Sequence, residues 1–405
     1  MINLVPFGNA RIFRPSHKTE TAIRQNAREH LLARFAPGEY PGAKAANEIV
    51  QYQFGFYQKR LRLAVEKLPT RDTLDFLLSQ YDEGTRILHG NGISDPAERE
   101  AWAWIEPMFR RAIKYIAEML CIESFSARKS LDGPKAAKAL ETAMVCAESM
   151  AHLAHESDLV HSIFPNDCIV SVRGDNPVHC NIAITGNHAG YDRTFRDRII
   201  RDRQSRDRFV PSPQFDNHTD THARYLDPAF RESFGMTYAE FIAAIAAVIN
   251  DAQPAPNAPS SLFVHRGGVI DQLAISGRSR PAIERAIDGF SIAARKMLEE
   301  GRVIWNPKQE HRAYRRGFYL FPHPTGLHLA FSRSMAQESL IQLVNWVPYK
   351  HLPAEWQEPA TRSALSNLSQ AAGEWFERLT CERLKALGII GQSFPRRIGT
   401  GMTGR

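Results

Sequence analysis

At 405 residues, with 43% apolar and 23% charged side chains, the chain is long enough for two or three packed domains and has the composition of a folded protein. Its formal charge of +7 and pI of about 9.2 lean toward anionic partners. The longest apolar run, residues 241–249, is about half a bilayer span, and residues 1–7 lack the basic flank of a secretory signal, so a cytoplasmic protein with no membrane partner is expected.

Residues 18 to about 160 read as a bundle of helices. Thr19 or Thr21 is placed to cap a first helix running to Phe35, which Pro37-Gly38 ends. A second, over 44–68, is unusually aromatic and carries Tyr52, Phe54, Phe56 and Tyr57. Asp72 opens a third through Leu88, closed by Gly90-Asn91-Gly92. Ser94-Asp95-Pro96 is the clearest start in the chain, a cap followed by a first-turn proline, and Glu98 complements the helix dipole. That helix passes Trp102, Trp104 and Phe109 on its way to Leu120, with a kink expected at Pro107. Gly133-Pro134 then restarts the chain as a helix so rich in alanine, from Ala136 to Ala151, that neighbouring helices can approach closely.

Near residue 167 the hydrophobic period shortens. Residues 168–172 and 178–184 are β-rich runs separated by Gly174-Asp175-Asn176-Pro177, which predicts a hairpin. A capping box from Thr237 to Glu240 starts the helix that carries the 241–249 run, and a proline-rich linker covers 253–260. Beyond it the pattern predicts a strand over 262–264, a helix over 281–300, a hairpin from 317–321 and 326–331, and helices over 335–346 and about 362–387. The expected fold is therefore α+β and predominantly helical. A bundle over 1–160 is followed by an α+β domain over 161–252, the linker, and an α+β domain with a terminal helix over 261–405.

Five cysteines (Cys121, Cys146, Cys168, Cys180 and Cys381) form no CxxC pair, which argues against a disulfide framework and a cysteine zinc site. No Walker-type GxxxxGK[ST] and no GxSxG occur, leaving nucleotide hydrolysis of that kind and lipase-like acyl transfer without support. Arg-Asp-Arg triplets recur at 196, 201 and 206, and on a helix they would pair with their own aspartates four residues apart. That regularity fits a solvated, self-paired helix as well as an arginine-rich nucleic-acid contact.

His218-Thr219-Asp220-Thr221-His222 offers two imidazoles and a carboxylate, a set able to hold a divalent cation, though such loops also make ordinary turn hydrogen bonds. His152, His155 and His161 lie on or after the alanine-rich helix and suit a bundle surface equally well. Residues 270–287 have the outline of a helix-turn-helix that would present Arg278, Arg280 and Arg285 to DNA, with the turn one residue short of the usual spacing. Lys308, His311, Arg312, Arg315 and Arg316, interleaved with Trp305 and Tyr314, make the densest basic cluster with aromatic faces, a mixture suited to phosphate contact and base stacking.

Gly373, Phe376 and Glu377, followed by Leu384 and Gly388, resemble the opening helix of restriction-endonuclease-like (PD-(D/E)xK) nuclease domains. The resemblance covers about twenty residues and places Glu377 at the first-helix glutamate; the metal-binding carboxylates and lysine that should follow are missing, because the sequence ends first. Without them the resemblance implies a recognition portion rather than a nuclease able to cut alone.

Together these readings favour a nucleic-acid-associated binding or accessory protein, of nucleic-acid metabolism or defence, without autonomous catalysis or cofactor. Its expected DNA or RNA contacts are Lys308, Arg312, Arg315, Arg316, Arg396 and Arg397. A metal-dependent hydrolase centred on His218, Asp220 and His222 is one alternative. A scaffold that holds a protein partner through the helical bundle is the other.

Overall fold

A computed structural model describes residues 2–87, 93–122, 130–163, 168–173, 182–186, 219–251, 261–275, 277–299 and 312–388. Among them the chain is a predominantly helical α+β protein, with twelve α-helices and nine short strands in three small sheets.

The chain begins with strands rather than helix. β1 (Leu4–Phe7) and β2 (Ala10–Phe13) form an antiparallel hairpin whose turn uses Gly8 at φ 54°, a conformation glycine adopts without steric cost. Ser16 then caps α1 (His17–Leu32), its hydroxyl accepting the Thr19 N–H at 3.4 Å, so the cap lies before the expected threonines. Glu141 accepts from the Ser16 and Thr19 hydroxyls at 2.8 and 2.5 Å and ties this helix start to α5 (Pro134–Ile163).

α2 (Ala43–Val65), α3 (Thr70–Arg86) and α4 (Pro96–Ile122) complete the bundle. α5 packs against α1, α2 and α4, and Ala143, Ala147 and Ala151 are buried along its contact face, the close approach that small side chains permit. α4 continues as helix through Pro107. β3 (Gly38–Pro41), from within the bundle, pairs with β4 (Cys168–Val172), which pairs with β5 (Ile182–Gly186), all antiparallel. The expected two-stranded hairpin is thus part of a three-stranded sheet. Of its second strand the described part is 182–186, and 178–181 lie outside the described residues.

The second half is built around a mixed sheet ordered β6-β9-β8-β7, from β6 (Ser261–His265), β7 (Ser291–Ala293), β8 (Phe318–His323) and β9 (Gly326–Ser332). The helix expected over 281–300 is broken by β7, which pairs parallel to β8. Phe290 terminates the preceding helix because its ring must drop into the interior, edge-on to Phe318 at 4.9 Å. Around the sheet lie α6 (Thr219–Phe234), α7 (Tyr238–Asp251), α8 (Arg266–Ala274), α9 (Arg280–Gly289), α10 (Ala294–Glu299), α11 (Arg333–Trp346) and α12 (Pro359–Ala386). The capping box of α7 forms as expected, with Thr237 N–H donating to Glu240 at 2.7 Å and Glu240 N–H to the Thr237 hydroxyl at 3.1 Å.

Two hydrophobic cores meet at this sheet. Because side chains alternate along a strand, Tyr319 and Phe321 of β8 and Ala330 of β9 enter the core of the bundle, while Phe318, Leu329 and Phe331 enter a second core made by α6, α7, α9, α11, Trp356 and α12. The expected boundary at 253–260 lies outside the described residues, and α6 and α7 before it share one core with α9, α11 and α12 after it. The hydrophobic interior therefore does not follow the division into separate 161–252 and 261–405 domains. Among the described residues no single helix is long and apolar enough to cross a membrane; the apolar pair α6 and α7 is bent by 85°.

Candidate functional site

The basic cluster expected around residue 310 does not form an exposed face from the arginines that are described. Arg312 is 3% exposed, Arg315 7% and Arg316 1%, because each is drawn inward by a polar partner. Arg312 Nε donates to both Glu118 oxygens at 2.9 Å, and Glu118 also accepts the Ala313 N–H at 2.9 Å. Arg315 stacks over Trp346 at 4.9 Å and lies 3.2 Å from His351 Nδ1. Arg316 donates to Glu355 at 2.8 Å and to the carbonyls of Asp288 and Ser291 at 3.1 Å. Burial alone would raise the Glu355 carboxyl, but Arg316 and Lys296 overcome it and hold it at about 2. These groups are structural cross-links. Lys308, Arg396 and Arg397 lie outside the described residues.

A second buried network joins α3 and α4 to α11. Arg110 donates to Glu106 at 3.0 Å and to the Tyr81 hydroxyl at 2.6 Å, Tyr81 donates to Glu338 at 2.6 Å, and Arg110 also pairs with Glu338. Its charges are paired across the junction between the bundle and the second half, which offsets the cost of burying them.

The histidine candidates separate. His222 is fully buried on α6, its ring 6.3 Å from that of Tyr238 in the second core. His218 and the Asp220 side chain lie outside the described residues. His152 is half-buried, and the side chains of His155 and His161 are outside the described set, as are the Arg-Asp-Arg triplets. The helix-turn-helix outline does fold as α8 and α9 around Gly277 at φ 80°. Two of its three arginines are engaged, however: Arg280 pairs with Asp271 and Glu284, and Arg285 donates to Glu358 at 2.9 Å. Gly373, Phe376 and Glu377 sit midway along α12, which runs unbroken from Pro359, and so do not open a helix. Phe376 there is 64% exposed.

Sequence reading missed a histidine trio at the β8–β9 turn. His265 accepts the Gly268 N–H at 3.0 Å and lies 3.0 Å from the Thr325 carbonyl, His323 is 2.8 Å from the Thr325 hydroxyl, and His328 is 3.1 Å from the Gly326 carbonyl. Their ring nitrogens stitch the turn. Among the described residues no three His, Cys, Asp or Glu side chains are arranged to hold a metal ion.

Among the described residues, α1, α2 and α5 form a groove of about 1070 Å³. Along it runs a column of three rings with a guanidinium at each end. Arg34 lies over Tyr52 at 4.9 Å, Tyr52 stacks on His30 at 4.4 Å with an interplanar angle of 8°, His30 stacks on Phe56 at 5.0 Å, and Arg60 lies over Phe56 at 4.6 Å. Tyr52, Phe56, Lys59, Arg60 and Leu63 recur at helical spacing on α2, which puts them along one side of it. Lys135, Lys138 and Thr142 supply the opposite wall from α5, and Lys67 closes one end.

Among the described residues, every charged group lining this groove is cationic. Burial, with Arg60 and Lys59 close by, lowers the His30 pKa and so favours the neutral ring that stacks on Tyr52 and Phe56. The basic half of the pattern was available in the second helix as Lys59-Arg60 after its aromatic residues, but its partners lie on helices far away in sequence. Comparison with protein-family models, curated proteins and solved structures finds no match to this chain.

Proposed function

We propose that the protein binds nucleic acid through the α1–α2–α5 groove, as a binding or accessory component. One observation carries this reading: Lys59, Arg60, Lys67, Lys135 and Lys138 surround a wall of Tyr52, His30 and Phe56, with no lining carboxylate among the described residues. Cations hold phosphates, and ring faces and edges accept bases, so the two kinds of side chain together match a nucleotide polymer better than a simple anion. The net charge of +7 works in the same direction over longer distance.

The test is binding of a labelled oligonucleotide at several salt concentrations. If about four phosphates are neutralised, affinity falls by roughly 50-fold between 50 and 200 mM salt. Lys59→Glu combined with Lys138→Glu places two carboxylates in exposed wall positions and is expected to weaken binding by at least tenfold and flatten the salt dependence. Affinity that ignores salt, or a double variant that binds like the parent, would overturn the reading.

A further inference from the structure

Gly55 sits inside α2, one turn from Tyr52 and Lys59, exposed on the floor of the groove. A glycine there weakens a helix, because it frees the backbone in the unfolded chain and adds no packing in the folded one. No crowding explains it: a Cβ built at this position meets nothing within 4 Å, and φ is not positive. By contrast, a Cβ on Gly317 would come 2.7 Å from the Ala336 Cα and from the Phe290 ring. Packing thus requires one glycine and not the other. What Gly55 does create is a bare step of helix backbone between the Tyr52 ring, the Gln51 amide and the Lys59 ammonium.

We infer that Gly55 forms the floor of a recess for an unpaired base, and that the groove prefers single-stranded nucleic acid to duplex. The inference rests on the reading of the groove as a nucleic-acid site and narrows it. In a duplex the base faces are covered by their neighbours, so rings such as Tyr52 and Phe56 gain nothing from them; in a single strand those faces are open. Gln51 supplies an amide at the edge of the recess that can both donate and accept, suiting a base edge rather than a phosphate. From Gln51 to Ala64 the groove follows about 20 Å of helix, the length of several nucleotides rather than one.

The experiment uses the full chain with three probes at one salt concentration: a labelled 20-nucleotide thymidine strand, a blunt 20-base-pair duplex and a mononucleotide. The strand is expected to bind at least tenfold more tightly than either of the others. Gly55→Gln, a good helix former in open space, is expected to keep or raise the melting temperature while weakening the strand about tenfold and leaving the duplex unchanged. Duplex binding as tight as the strand, mononucleotide binding as tight as the strand, or a Gly55→Gln variant that binds the strand normally would each overturn the inference. In those cases loss of binding in the Lys59→Glu and Lys138→Glu variant would still uphold the groove as a nucleic-acid site. Failure of the parent protein to bind any of the three probes would overturn both.

Discussion

At the scale of single residues, the arginines near position 312 show how identity and role can diverge. Their clustering is plain in the sequence, and on the surface it would be a phosphate contact. Their fate is decided by Glu118, 194 residues away from Arg312, and by Glu355, 39 residues from Arg316, and nothing local announces those pairings. Glu355 also makes stability depend on pH. Its carboxyl is held at about 2 against an ordinary value of 4.5, so the unfolded chain takes up a proton there first as pH falls. The stabilisation is complete above about 4.5 and is lost as pH drops toward 2. Melting temperatures measured from pH 7 to pH 2 are expected to decline through that window, and Glu355→Gln is expected to lower stability at pH 7 while flattening the decline. An equally steep decline in the variant would assign the acid sensitivity to other carboxylates.

At the scale of elements, starts with strong local chemistry were legible and interruptions caused from a distance were not. Pro96 and Pro134 begin helices where a first-turn proline says they should, and the Thr237–Glu240 box caps α7. β1, β2 and β3 are four residues each, too short for periodicity to separate them from loop. β7 cuts a helical pattern because Phe290 and Ile292 are needed in the interior. The groove was half legible for a related reason: α2 displays its rings and cations at helical spacing, while His30 and Lys138 reach it only through tertiary packing.

The same junction after α9 yields a sharp expectation. A Cβ on Gly289 would overlap the indole of Trp356, which is fully buried and donates its N–H to the Arg285 carbonyl at 2.9 Å. The indole cannot retreat without leaving that carbonyl. Gly289→Ala is expected to lower unfolding free energy by about 3 kcal/mol in a urea titration. Gly373→Ala, in open space on α12, is expected to be neutral or to raise it by roughly 0.5 kcal/mol. Equal effects at the two sites would contradict the packing described for Trp356.

At the scale of the molecule, the sheet β6-β9-β8-β7 is the wall common to both hydrophobic cores, and the Arg110–Glu338 and Arg312–Glu118 pairs fasten the halves on either side. Losing one core would strip half of every strand's buried side chains, so the two are expected to open together. Native-state hydrogen exchange should assign the same opening free energy, with the same denaturant dependence, to amides around residues 143–151 of α5 and 241–249 of α7. Substantially easier opening of α7 would mean that the cores fold independently.

That shared wall also sets an order of events during synthesis. The bundle helices end at Ile163, yet Tyr319, Phe321, Ala330 and Met335, which help fill their interior, are among the later residues to leave the ribosome. At ordinary elongation rates the nascent bundle waits on the order of ten to thirty seconds with an apolar flank still open to the cell. A chain built this way invites chaperone capture in the interval, and its yield in expression should respond to translation speed between those two points more than to the stability of the finished fold.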